Sequence, residues 1–433
     1  MNDDRIRMTR MKILLAPAAT GSGHNMRVLA LAREILAQQP DAELTVLLAS
    51  LQSTFTPLFT QAGVKVVDLA GGKPVDYATR SNLGRRMDWP GYIGGYLAPA
   101  FVNGERILHY LALIQEHRPD LVVSDYNMSA SMAASILGTP HALVTERYDF
   151  TLCQLDDETL VAGGFDIDKE DLRRGRGALH ACFEWIVNSA EVVLTDKPPV
   201  GELDEGTPVA RALGEGGHAV FTGPMVRRFP ERRDGAEIRA ELGIPAGPLM
   251  VGSVGGTTMF LENKQRVIDC YLEAYRILRE TRPDLRFVLL GREQVDAPEE
   301  VIQLDYLPDW MPLLQEADVL LSAPGWITVT EVAAMRIPTV FVLGSLSEYH
   351  EVEAARRLEL LGFPTFVAPS AEELAGSLAP MLGQRPDGGQ ATPAQLAVAP
   401  DGAGTALAAR HLLAAAARSA TAGGAAAGHR GGR

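Results

Sequence analysis

At 433 residues the chain is long enough for two or three domains with substantial cores, and a 46% hydrophobic composition excludes wholesale disorder. A formal net charge of −14 argues against nucleic-acid binding as the main role. Three cysteines, Cys153, Cys182 and Cys270, form neither a metal spacing nor an even disulfide set, which suits a reducing compartment and a cytoplasmic protein.

The N-terminus lacks a secretory pattern, and its polar leader to Arg10 gives way to an apolar stretch too short to span a membrane. That stretch, Met11 to Pro17, reads as a strand, Ala18 to Gly23 as a small-residue turn, and Asn25 to Ala37 as a helix. The order is a Rossmann-like opening, yet Thr20-Gly-Ser-Gly-His24 is not the full dinucleotide fingerprint. His24 sits at the mouth of the predicted sheet, as a helix-capping or solvated histidine or as a functional one. Further strands are predicted near 44–49, 64–69, 121–124, 141–145 and 191–195. Asp125 closes one of them, where it could cap the next helix or carry chemistry. Glu146 follows another, either as a solvated charge beside Arg147 or as a functional carboxylate.

From about Lys73 to Asn103 the chain is rich in Gly, Pro and aromatics, among them Trp89, Tyr92 and Tyr96, without clear periodicity. These rings either line an acceptor lid or pack into the core. Asp166-Ile-Asp168 resembles a metal-binding pair, but its surroundings read as the polar start of a helix near Leu172, so no metal is expected. Arg227-Arg228 and Arg232-Arg233 read as solvated charge, or else as phosphate or linker contacts, and Gly223 to Asp234 as the linker.

The second half repeats the alternation, with strands near 249–254, 285–290, 301–304, 318–322, 339–343 and 365–368. Val251 to Thr258 is a Gly-rich turn between a strand and a long helix. A second Gly turn lies in Ser322-Ala-Pro-Gly-Trp-Ile-Thr-Val-Thr-Glu331, where a helix begins after a buried strand. The first amides of such a helix lack intrahelical partners and lie at the positive end of its dipole, so a diphosphate placed there finds donors and field together. Thr328 to Glu331 also has the spacing of a capping box. After Gln384 Pro, Gly and Ala dominate, with one helix expected near 404–418 and disorder from Ser419 to Arg433.

The segment from about His218 to Leu382 resembles the C-terminal domain of GT-B glycosyltransferases. The resemblance is to both the UDP-sugar transferases of small molecules and the N-acetylglucosaminyltransferase of bacterial cell-wall lipid synthesis. It is carried by Phe221-Thr-Gly-Pro224, the Gly-Ser loop at 252–256, Asp305-Tyr-Leu-Pro308 and the G-x-x-T-x-x-E run from Gly325 to Pro338. The resemblance implies that Glu331 accepts the ribose hydroxyls. Gly252, Ser253, Gly255 and Gly256 would cradle the diphosphate with Gly325 and the amides near Ile327 and Thr328, while Tyr306 and Leu307 present backbone groups to the base. Glu348, Tyr349 and His350 would face the sugar, although His350 stands where glutamine is expected and Glu353 where asparagine is.

In the N-terminal half Gly23-His24 matches the family's Gly-His, which makes His24 the base and Asp125 the residue that orients it; Arg27 stands where the cell-wall enzyme has proline. Glu146 would bind acceptor or serve as an alternative base, and Trp89 and Tyr92 would contact acceptor. The fold so implied is α/β, two Rossmann-like doubly wound parallel-sheet domains facing a central cleft. Residues 11–222 form the acceptor domain, 223–234 the linker and 235–384 the nucleotide-sugar domain, with a helix at 400–418 crossing back. The activity implied is inverting, metal-independent transfer from a UDP-sugar to a small-molecule acceptor in natural-product biosynthesis, with no cofactor beyond the donor. A UDP-sugar 2-epimerase, a non-catalytic partner of the same fold, and a membrane-facing patch for a lipid acceptor stay open as alternatives.

Overall fold

A computed structural model describes residues 10–18, 22–69, 88–98, 101–229, 233–254, 261–291, 295–305, 307, 309–383, 391–402 and 404–428. Two sheets organise them. The first holds seven strands, β1 (Lys12–Pro17), β2 (Glu43–Leu48), β3 (Lys65–Asp68), β4 (Leu121–Asp125), β5 (His141–Thr145), β6 (Val192–Thr195) and β7 (Ala219–Phe221). The second holds β8 (Leu249–Ser253), β9 (Arg286–Leu290), β10 (Val301–Leu304), β11 (Val319–Ser322), β12 (Thr339–Leu343) and β13 (Thr365–Val367). The strand orders are β3-β2-β1-β4-β5-β6-β7 and β10-β9-β8-β11-β12-β13, parallel throughout. The two doubly wound sheets expected from the alternation are present. Strand β7 is an addition, because three half-buried residues carry too little pattern to declare a strand.

Most strands are apolar at successive positions because helices cover both faces of each sheet. Residues of β4, β5 and β6 are buried without exception, whereas the edge strand β3 is only partly covered. The strand order reverses direction between β1 and β4 and again between β8 and β11, and at such a switch point the loops diverge and leave a crevice at the carboxyl ends. Register fixes which residues meet there: Pro17 lies opposite Asp125, and Ser253 opposite Ser322.

The segment from Trp89 to Leu97 is helical, opened by Asp88, whose carboxylate accepts from Gly91 N at 2.8 Å. The C-terminal helix spans Thr405–Gly428, continuing beyond Arg418 where composition predicts disorder. Its alanine-rich sequence favours helix, and Ala408, Ala409, Leu412, Ala415 and Ala416 are buried with Val28, Leu31 and Ile35 in the core of the first sheet. Gln38 Nε2 donates to Ala406 O at 3.1 Å, which fastens the returning chain to the first helix. No described helix is long and apolar enough to cross a membrane.

Candidate active site

The Gly23–Gln38 helix starts at the carboxyl edge of β1, and its His24 reaches the end of β4 next door. Asp125 Oδ1 lies 3.0 Å from His24 Nδ1. Arg27 Nη2 lies 3.1 Å from the same Nδ1 and cannot accept, but it already donates to Asp125 Oδ1 at 2.7 Å; a carboxylate only accepts, so the Nδ1 proton is assigned to the Asp125 contact, which leaves the imidazole lone pair on Nε2. Asp125 caps no helix; Asn127 does that, accepting from Ala130 N at 3.1 Å. Tyr126, held at φ +46°, lays its ring parallel to the imidazole at 6.4 Å between centroids.

Arg27, one turn beyond His24, is completely buried and donates to both oxygens of Asp125, at 3.0 and 2.7 Å. Its remaining nitrogen reaches Asp196 Oδ2 at 3.1 Å and Glu146 Oε2 at 3.3 Å. Burial pulls the carboxyl of Asp125 upward, and Arg27 with His24 outweighs it, leaving the group below its ordinary value. Glu146 follows the same balance, with His24, Arg27, Arg147 and Lys197 holding it down. Burial pushes Asp196 up to about 6.

Across the crevice the second sheet presents the Trp326–Met335 helix, with Gly325 as its N-cap and no side chain capping it. The capping-box reading of Thr328 and Glu331 fails, because the helix begins at Trp326 and Glu331 already lies inside it. The Glu331 side chain is buried, accepting Trp310 Nε1 at 2.9 Å on Oε2 and pairing Arg227 Nε at 3.4 Å through Oε1. Burial raises its carboxyl, with Arg227 opposing. Arg227 is therefore a site-facing cation, also 3.2 Å from Asp309, whereas Arg228 is solvated as expected and pairs with Glu34. The halves touch where a Cβ on Gly23 would lie 2.8 Å from Ile327 Cγ1.

Ser253, Gly325, Ile327 and Thr328 are partly exposed around this junction, and Leu307 is half-buried against the second core. Gly252 is a strand residue; a Cβ there would meet Phe287 at 2.8 Å, so ring packing demands the glycine. Gly255, Gly256 and Tyr306, and the side chain of His350, lie outside the described residues.

Four other side chains expected at the acceptor or sugar are engaged by the protein itself. Trp89, half-buried, packs onto Gly175, where a Cβ would collide with the indole, and Tyr92 is buried against Phe165, the core packing that the sequence left open beside an acceptor contact. Glu348 is buried and accepts from Asn263 Nδ2 at 2.9 Å. Tyr349 donates its hydroxyl to Gly163 O at 3.0 Å, and Glu353 accepts Lys197 Nζ at 2.6 Å. The helix that the resemblance assigns to the sugar thus spends these side chains on packing and on contact between the halves. Asp168, as expected, opens a helix, accepting from Glu170 N and Asp171 N at 3.0 Å each. Among the described residues no three His, Cys, Asp or Glu side chains are grouped to hold a metal ion.

The residues missed in the sequence are Arg27 as a buried cation, Asp196 and Lys197 at the exit of β6, and Trp310. Position at a strand's carboxyl end, the rule that singled out Asp125, would have found Asp196.

No protein-family model matches the chain. An uncharacterized glycosyltransferase from Methanopyrus kandleri is 24% identical over 238 residues, covering 53% of this chain, and the chain spans only 58% of that relative. Among solved structures, a Listeria monocytogenes protein provisionally named a UDP-N-acetylglucosamine 2-epimerase superposes with a TM-score of 0.59 at 13% identity, covering 94% of this chain and 95% of its own. The spinosyn rhamnosyltransferase SpnG complexed with thymidine diphosphate gives 0.51 at 16% identity, over 95% and 99%.

Proposed function

The chain has the two-sheet fold of GT-B glycosyltransferases, and from that premise we propose that it is an inverting, metal-independent transferase moving a sugar from a UDP-sugar to a small hydroxyl- or amine-bearing acceptor in natural-product biosynthesis. The observation that carries the reading is the His24–Asp125 pair at the switch point of one sheet, facing an uncapped helix start and the buried Glu331 of the other. His24 Nε2 takes the acceptor proton as the acceptor attacks the anomeric carbon. Asp125 stabilises the imidazolium, and the amides following Gly325 stabilise the departing diphosphate. The SpnG complex supports a nucleoside diphosphate site in this fold.

Ligands that bind only the folded state raise apparent stability by mass action, so a thermal-shift panel of UDP, dTDP and GDP identifies the nucleotide. His24→Ala is expected to keep that shift while lowering UDP release in the presence of acceptor by about 10²- to 10⁴-fold. Wild-type turnover by this variant would move the base elsewhere, with Glu146 next in line. The Listeria neighbour favours a second reading, a UDP-sugar 2-epimerase. Incubating the donor alone and detecting an epimer would establish it.

A further inference from the structure

The histidine and carboxylate of the proposed reaction are only part of the charge buried behind the first helix. Arg27 donates to Asp125 through two nitrogens and to Asp196 and Glu146 through a third. Three carboxylates around one guanidinium leave a negative excess before His24 is counted. Asp196 is fully buried, and its Oδ1 has no hydrogen-bond partner among the described residues. An unpaired buried carboxylate oxygen costs stability, and one that persists beside a base is explained if its charge serves the base.

We propose that Arg27 and Asp196 are positioning residues for proton transfer at His24, Arg27 clamping the Asp125 carboxylate against the imidazole and Asp196 supplying negative charge that the imidazolium offsets as it forms. The inference rests on His24 being the base. The two-point clamp fixes the plane of Asp125, so Oδ1 keeps facing Nδ1. A guanidinium beside an imidazolium is repulsive, and Asp196 with Glu146 offsets that repulsion. In the step itself the acceptor's proton passes to His24 Nε2 and its lone pair forms the new bond to the anomeric carbon. The bond from that carbon to the diphosphate oxygen breaks, and its electron pair leaves with UDP. The buried group gains one positive charge and moves toward neutrality.

The charges around His24 come from every element packed on it. Arg27 lies on its own helix, Asp125 and the Tyr126 ring at the end of β4, and Asp196 and Lys197 past β6. Glu146 and Arg147 follow β5, and both Arg147 and Lys197 are tied to Glu353. From the second half come the apolar Ile327 and, across the narrow gap that Arg27 borders, Glu331 and Arg227.

The test is an NMR pH titration of protein carrying 15N-histidine, with the His24 signals assigned by their loss in His24→Ala, alongside UDP release from UDP-glucose in the presence of a panel of small hydroxyl- and amine-bearing acceptors. Asp196→Asn, nearly isosteric, is expected to lower the His24 titration midpoint by roughly half a unit or more. It should also reduce kcat about tenfold with KM for UDP-glucose and the thermal shift by UDP unchanged. Arg27→Lys keeps the charge without the two-point clamp and is expected to lose the downfield Nδ1 proton signal of the bond to Asp125. If that variant does not fold, Arg27→Gln/Asp196→Asn, which removes one charge of each sign, reads the same signal. An unchanged midpoint in Asp196→Asn, or an unchanged Nδ1 signal without the clamp, overturns the proposal. Absence of UDP release by the wild type with an intact midpoint shift would instead sink the transferase reading and leave the coupling standing.

Discussion

Glu331 has both carboxylate oxygens engaged from protein groups, Trp310 on one and Arg227 on the other. The proposed ribose contact would draw on the same two oxygens. Because Glu331 lies inside its helix rather than at the cap, replacing it removes no capping bond. Glu331→Gln keeps the volume and the Trp310 bond while weakening acceptance of hydroxyls. The expected result is a loss of UDP affinity of about tenfold, the range of a hydrogen bond to a charged group, with the melting temperature of the free protein shifted by only a few degrees. Isothermal titration with UDP measures the first and a thermal melt the second; unchanged affinity would remove Glu331 from the nucleotide site.

At the scale of elements, two helix starts meet head on. The Gly23–Gln38 helix brings a glycine against Ile327 of the Trp326–Met335 helix, and the added methyl of Gly23→Ala would sit 2.8 Å from Ile327 Cγ1. The contact must open by several tenths of an ångström, and overpacking of this kind costs about 1–3 kcal/mol. Gly23→Ala is therefore expected to lower the melting temperature, and Ile327→Ala in the same chain to recover most of the loss. Failure of the second change to rescue the first would show that the helix starts do not meet in solution. The same logic explains Gly175, whose missing side chain makes the bed for Trp89.

The two halves of the molecule are joined by buried charge. Glu353 on the Tyr349–Leu361 helix accepts Lys197 and Arg147 from the first half, at 2.6 and 3.3 Å. Arg357, one turn later, reaches back to Asp204 at 2.7 and 2.6 Å. Burial lowers Lys197 to about 8, while the three cations hold the Glu353 carboxyl far below its ordinary value. Removing the Glu353 charge takes the shared anion away from Lys197, Arg147 and Arg357, of which Arg357 keeps Asp204. Glu353→Gln is expected to destabilise by about 3–5 kcal/mol, the range for breaking a buried pair from one side. Denaturant unfolding gives the size, and limited proteolysis between the two sheets reports whether the halves separate first. A loss below 1 kcal/mol would mean that the halves do not depend on this pair.

The sequence by itself determined the two sheets, since buried parallel strands announce themselves as apolar runs and the helices between them by period. It also determined where the Gly-rich turns fall, that His24 follows the first strand and that Asp125 closes a later one. These are local properties, carried by a few consecutive residues. It did not show that the helix around Trp89 points its rings inward, because a short segment without periodicity has no readable face. Nor did it show that Glu348, Tyr349 and Glu353 are committed to Asn263, Gly163 and Lys197. Arg27 looked like a departure from a pattern, and only the fold made it the partner of Asp125, Glu146 and Asp196, which lie 98, 119 and 169 residues away. The sign and strength of a buried charge depend on what surrounds it in three dimensions, and that was decided when the carboxyl ends of β1, β4, β5 and β6 were brought side by side.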